Sequence, residues 1–221
     1  MRPTCLRCLR PAASCVCLPG PPLASRTRVA ILQHPREARL AICSAWMTRL
    51  ALENAELHCG VLFGDRARVR QLASTPGAAL LFPGAGATPA AVRAADPPPV
   101  LLVLDGTWHQ ADRMLQRNPF LAALPRIAVS SERPSGYGDL RREPGPGTLP
   151  TIEAVALALG ELERDPARFE PMREAFRRAV EQQLAVARGP RRSPRHRGDR
   201  EQATRDGGAD GAARTWRLGP A

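Results

Sequence analysis

The chain has no lysine: all 32 of its basic residues are arginine. Ala, Pro and Gly are abundant alongside, so much of this usage is a general composition bias. It still excludes the flexible point charge of an ammonium and leaves only planar forks, which pair well with phosphate. Aromatics are equally scarce, with three Trp, one Tyr and five Phe. Long hydrophobic runs are missing too. Nothing approaches the roughly 18–20 apolar residues that a membrane helix needs, and MRPTCLRCLRPAASC at the start lacks the apolar centre of a secretory signal. A soluble, cytoplasmic protein is expected, with cysteines that serve as thiols or metal ligands rather than disulfides. The sequence lacks G-x-G-x-x-G after a strand, a Walker motif, G-x-S-x-G and H-E-x-x-H. Dinucleotide, nucleoside-triphosphate and zinc-hydrolase readings lose their usual support.

The 221 residues carry a net charge of +11 and are 43% hydrophobic. That is enough for one domain with a proper core, and the charge favours a polyanionic partner. Short apolar runs alternate with helical patterns. Strands are predicted at Arg28 to Leu32, Leu57 to Phe63, Ala79 to Phe82, Val100 to Leu104 and Ile127 to Ser130. A helix is expected after His34-Pro35, with Leu40, Cys43, Met47 and Leu50 on its apolar face. Others are expected from Thr107, from Thr151 (Ile152, Val155, Leu159 and Leu162 inward) and from about Pro171 to Arg188. This is an α/β pattern with a mostly parallel sheet and flanking helices. The organisation predicted is a cysteine-rich module over 1–20, an α/β domain over 21–188, and a basic tail over 189–221 too poor in apolar residues to fold.

Cys5, Cys8, Cys15 and Cys17 have the spacing C-x2-C-x6-C-x-C. Four thiolates this close can close a tetrahedral zinc site and so fold a segment too small for its own core. An iron–sulfur cluster is the competing reading. Cys43 and Cys59 read as buried, inert thiols.

Parallel sheets place ligands at the carboxyl ends of their strands. Two apolar runs end in such a place, LFPG (81–84) and LDGTW (104–108). Asp105 is either a helix cap or a reactive carboxylate. Thr107 and Gln110 have capping-box spacing, which makes Thr107 the better cap. Trp108 is core or a stacking platform. The stretch SERPSGYGDLRREPGPG (131–147) is too rich in Gly and Pro for regular structure. It carries Arg133, Tyr137, Arg141 and Arg142, an aromatic face with phosphate-pairing forks. His34, Glu37 and Arg39 lie just past a strand, as a site rim would. His109 is expected to be exposed.

Six stretches stand in a fixed order: the cysteine cluster, LQHPREAR (32–39), LFPG, LDGTW, SGYGDLRRE (135–143) and TLPTIEA (148–154). In that order they resemble DTW-domain proteins over roughly residues 5–187, with Asp-Thr-Trp split as Asp105-Gly106-Thr107-Trp108. One departure is Ile42-Cys43-Ser44-Ala45, where many members carry an Asn-Thr or similar pair. The resemblance implies a tRNA-uridine aminocarboxypropyltransferase, related to a ribosomal-RNA enzyme of the same chemistry and to knotted methyltransferases. It therefore implies an α/β fold with a C-terminal trefoil knot.

The implied reaction moves the 3-amino-3-carboxypropyl group of S-adenosylmethionine onto N3 of a tRNA uridine and releases methylthioadenosine. By the same resemblance Asp105 is the base, or else orients the cofactor's amino group. Leu81, Phe82, Pro83, Gly84, Leu104, Gly106, Thr107, Trp108, Leu149, Thr151 and Glu153 would enclose the cofactor. His34, Arg36, Ser135, Tyr137, Arg141 and Arg142 would hold the RNA substrate. The rival readings are the same transfer onto ribosomal RNA, methyl transfer from the same cofactor, and a non-enzymatic zinc-bearing RNA-binding protein.

Overall fold

Val29 and Ile31 turn to one face of a sheet, Ala30 and Leu32 to the other, and all four are fully buried. This is the period-2 placement of a strand covered on both sides, and it explains why RVAIL is apolar without alternation. Leu101 and Val103 share the first face, Val100 and Leu102 the second. The structure, a computed structural model, describes residues 3–40, 42–130, 136–137 and 149–188. Its six strands are β1 (Arg28–Gln33), β2 (Ala55–Cys59), β3 (Ala79–Leu81), β4 (Thr88–Pro89), β5 (Val100–Asp105) and β6 (Arg126–Ala128). They pair in the order β2-β1-β5-β3-β6-β4, every pair parallel.

Among the described residues seven α-helices accompany them: α1 (Ser44–Ala51), α2 (Ala67–Ala73), α3 (Ala90–Arg93), α4 (Trp108–Arg117), α5 (Pro119–Ala122), α6 (Thr151–Glu163) and α7 (Pro166–Arg188). Side chains of α1, α6 and α7 cover one face of the sheet, with Met47, Ile152, Val155, Phe169 and Phe176 at the centre. Val69 and Leu72 of α2, Met114 of α4 and Leu121 of α5 cover the other. Burying each such large side chain is worth about 1.5–3 kcal/mol, so the two apolar layers fix the sheet between them. Cys8, Val16 and Leu18 belong to the first layer. The cysteine-rich segment is further tied down by Arg7, whose guanidinium donates to the Leu50 carbonyl at 3.1 Å. Residues up to Ala187 form one unit. The tail over 189–221 lies outside the described residues.

Several expectations are corrected. No helix begins at Pro35. Glu37–Arg39 makes a single 3-10 turn, Leu40 is extended (φ −72°, ψ 141°), and α1 starts only at Ser44. Leu40 is 43% exposed, so the apolar face opens at Cys43 rather than at Leu40. β2 runs from Ala55 and stops at Cys59, and Phe63 plugs the second layer from a loop where its N–H donates to Asn118 Oδ1 at 2.7 Å. The last helix begins five residues early, at Pro166, with Pro171 inside it. Proline suits a first turn because its missing N–H would be unpaired there. The knot that the resemblance implies is not established, since the chain from β6 to α6 lies largely outside the described residues. Among those described, no helix is long and apolar enough to cross a membrane.

Candidate active site

β1 has β2 on one side and β5 on the other, so the chain's winding reverses between β1 and β5. A crevice opens at the carboxyl ends of the strands at such a point. The register pairs Gln33 with Asp105 there, the last residues of the two strands. Asp105 is only 7% exposed. Its Oδ2 accepts a hydrogen bond from Gln33 Nε2 at 2.8 Å and its Oδ1 accepts one from the Thr151 hydroxyl at 2.5 Å. Two residues 46 apart in sequence, Asp105 and Thr151, are thereby joined, with Thr151 as the first residue of α6. Buried carboxylates are tolerated where their lone pairs are satisfied. These donors fix the side chain in one orientation and stabilise charge on it.

Gln33 Nε2 also lies 3.0 Å from Cys43 Sγ, and Cys43 caps α1, accepting from the Trp46 N–H at 3.4 Å. Burial pushes the Cys43 thiol up, against the Trp46 N–H that favours its thiolate. Gln33 was not singled out by sequence reasoning, and Cys43, expected to be a buried, inert thiol, is instead half-buried and hydrogen-bonded. The available signal was a polar residue closing an otherwise apolar strand, RVAILQ. Cys59 is corrected from buried to exposed, because it ends an outer strand.

Asp105 does not cap α4. Thr107 does, its Oγ1 accepting from Gln110 N–H at 3.3 Å while Gln110 Oε1 accepts from Thr107 N–H at 2.7 Å. Trp108 opens the helix and remains 41% exposed. Its ring meets Phe82 edge-on, with centroids 5.6 Å apart, and the Arg126 guanidinium lies 5.5 Å from the Phe82 centroid. LFPG and LDGTW thus meet in space, Leu81 buried at the end of β3 and Pro83 and Gly84 exposed beyond it. Gly84 has φ +143°, and a Cβ there would stand 2.9 Å from Arg126 Nη1, so the bend suits glycine alone. Gly106 is half-buried between Asp105 and Thr107, whereas Leu104 packs into the second apolar layer.

Glu153 is 3% exposed and accepts from the Gly136 N–H at 3.0 Å. Burial pushes its carboxyl up, opposed by that N–H and by the charges of Arg173 and Arg177. A Cβ on Gly136 would come within 2.6 Å of Glu153 Oε1, so only glycine permits this approach. Tyr137 stands edge-on to Phe176 at 5.0 Å. Leu149 is half-buried just before α6. Ser135, Arg133, Arg141 and Arg142 lie outside the described residues. His34 donates its backbone N–H to the Asp105 carbonyl at 2.8 Å, and Arg36 is exposed two residues on.

The four N-terminal cysteines place their sulfurs within 4.8 Å of one another. Cys5 and Cys17 are 3.9 Å apart and Cys8 and Cys15 3.7 Å. Zinc–sulfur bonds of about 2.3 Å in a tetrahedron give sulfur–sulfur edges of about 3.8 Å, so the donor set fits the ion. Backbone N–H groups of Cys8 and Arg7 hold the Cys5 thiol down at about 6, while burial pushes Cys17 up to about 12.

The chain is similar to tRNA-uridine aminocarboxypropyltransferase 2 of Drosophila melanogaster, 33% identical over 175 residues, which are 75% of this chain and 68% of the relative. The protein of that name in Mus musculus is 30% identical over 174 residues, 74% of this chain and 58% of the relative. The tRNA-uridine aminocarboxypropyltransferase A of Arabidopsis thaliana is 28% identical over 204 residues, 76% of each chain. The chain thus spans less than two thirds of the mouse relative's length but more of the other two. No solved structure matches it. Residues 2–184 match the DTW domain, and the chain belongs to the DTW-domain family.

Proposed function

We propose that this protein transfers the 3-amino-3-carboxypropyl group of S-adenosylmethionine to N3 of a tRNA uridine. The observation that carries the reading is the oriented Asp105 carboxylate at the crevice between β1 and β5. The names of the relatives, spread over flies, mammals and plants, support the substrate class.

S-adenosylmethionine supplies an electrophilic carbon already activated by its sulfonium. The N3–C bond forms as the C–S bond breaks, and sulfur leaves with its electron pair as methylthioadenosine. The N3 proton passes to Asp105 and from there to water. Gln33 and Thr151 hold the carboxylate still while this happens, so alignment is the enzyme's main contribution. Leu81 to Gly84, Gly106, Thr107, Trp108, Leu149 and Thr151 surround the cofactor, while Leu104, expected among them, packs into the apolar layer beneath. Glu153 sets the turn at Gly136 against that wall. His34, Arg36, Ser135, Tyr137, Arg141 and Arg142 receive the RNA, with Tyr137 offering an aromatic face to a base drawn out of its helix. Cys5, Cys8, Cys15 and Cys17 hold one structural zinc. The cytoplasm is the expected compartment.

The test is incubation of the purified protein with S-adenosylmethionine and unmodified tRNA, followed by mass spectrometry of the nucleosides. Aminocarboxypropyluridine and methylthioadenosine are the expected products. S-adenosylhomocysteine would mark methyl transfer instead, and modification of ribosomal RNA alone would move the substrate. The Asp105→Asn variant should lower kcat at least a hundredfold with cofactor affinity little changed, the range for loss of general-base catalysis. A loss of cofactor affinity with kcat retained would make Asp105 an orienting group for the cofactor's ammonium.

A further inference from the structure

His109, Arg113 and Arg117 stand four residues apart along α4 and therefore form one stripe on its surface. All three are exposed. The stripe does not face open solvent alone. Together with Gln110 it lines a cleft of about 220 Å³, along with His34 and Arg36 from the loop after β1 and with Val61. A water needs only about 10–15 Å³ of such free volume, so the cleft has room for a phosphodiester with its hydration. His34 Nδ1 accepts the Arg36 backbone N–H at 3.3 Å, which places the neutral imidazole's proton on Nε2 as a donor.

The charge in this cleft is uncompensated. Several arginines elsewhere are paired, Arg28 and Arg68 with Glu56, Arg173 and Arg177 with Glu170, Arg26 and Arg168 with Glu163, while others such as Arg39, Arg49 and Arg66 stand singly and line no shared concavity with this group. Among the described residues, Arg36, Arg113 and Arg117 have no carboxylate partner. Three unpaired guanidinia and two imidazoles converging on one concavity are complementary to a chain of phosphates. The cleft also leads to the chemistry. The His34 N–H is bonded to the Asp105 carbonyl, and the Gly106 Cβ position lies 3.5 Å from His34 Cβ and 3.1 Å from Gln110 Cβ.

We propose that this cleft seats the sugar-phosphate backbone of the RNA strand beside the nucleotide to be modified, with Arg113 and Arg117 pairing with phosphates. The assignment rests on the RNA-modifying reading above and adds α4, through His109, Arg113 and Arg117, to the substrate surface. A strand gripped there delivers its neighbouring base to the mouth of the β1–β5 crevice.

The test is the Arg113→Ala/Arg117→Ala double variant of the full chain, compared with the native protein for binding of unmodified tRNA over a salt series. Both side chains are exposed, so the melting temperature should hold. The variant should bind tRNA about tenfold more weakly for each arginine removed. Its plot of log affinity against log salt should flatten by about 1.4, roughly 0.7 for each lost contact to a single strand. Affinity for S-adenosylmethionine should be unchanged. The Arg113→Lys/Arg117→Lys variant keeps the charge and should restore the slope. An unchanged tRNA affinity and slope overturns the proposal. So does a selective loss of cofactor affinity, which would assign the cleft to the cofactor's carboxylate. If the native protein neither binds nor modifies tRNA, the transfer reading fails. The same salt series on an oligouridylate then judges the cleft, equal binding by both proteins overturning it.

Discussion

Glu153 is a carboxylate that the fold has buried against a backbone amide, and its protonation bears on stability. Burial raises its pKa above the ordinary 4.5. For an acid raised in this way, the folded state holds its proton longer than the unfolded chain does. The stabilising contribution is therefore complete below about pH 4.5 and declines as pH rises. Glu153→Gln keeps an oxygen to accept the Gly136 N–H and removes the charge. The two proteins should melt together near pH 4. By pH 8 the variant should be the more stable of the two and show the higher Tm. A native protein that melts higher than Glu153→Gln at pH 8 would show that Arg173 and Arg177 outweigh the burial. Sequence reasoning found this residue only through the resemblance of TLPTIEA. It gave Glu153 a place beside the cofactor, and the hydrogen bond to Gly136, 17 residues earlier, had no local signal.

At the scale of elements, α4 carries both the site's entrance and the cleft wall, and its start is set by the Thr107–Gln110 capping box. Thr107→Ala removes one of the two reciprocal bonds and should cost about 1 kcal/mol. The expected readout is a Tm lower by about 2–4 °C, and an unchanged Tm would mean that packing of Met114 and Leu115 alone positions the helix. This cap was legible because it is local: two residue types at a fixed spacing after an apolar run. β1, β3 and β5 were legible for the same reason, being short apolar runs, whereas β2 was displaced and the two-residue β4 was missed. α2, α3 and α5 were not, since seven residues or fewer hold no more than two turns of pattern. Gln33 shows the other limit. Its importance comes from the β1–β5 register, a contact between residues 72 apart in sequence. No periodicity within either strand reports which residues finish level with each other.

At the scale of the whole molecule, the cysteine-rich segment is part of the fold's first apolar layer. Cys8, Val16 and Leu18 are buried in the same cluster as Met47, Ala51 and Leu52 of the α1 region. A metal held by Cys5, Cys8, Cys15 and Cys17 therefore does more than order its own loop. Losing it frees Val16 and Leu18 to leave that layer, and each buried side chain of this size is worth about 1.5–3 kcal/mol. The purified protein should carry one zinc per chain. Chelation, or Cys8→Ser, should lower the Tm by about 4–8 °C, corresponding to about 2 kcal/mol or more. Elemental analysis and a melting curve with and without chelator check this. Iron with visible absorption would replace zinc by an iron–sulfur cluster in the same four sulfurs. A metal-free protein whose Tm ignores chelator would show that Arg7 and the apolar contacts hold the segment unaided. Because the cluster lies on the α1 side of the sheet and the basic cleft on the α4 side, chelation should weaken stability while leaving the salt slope of RNA binding unaltered.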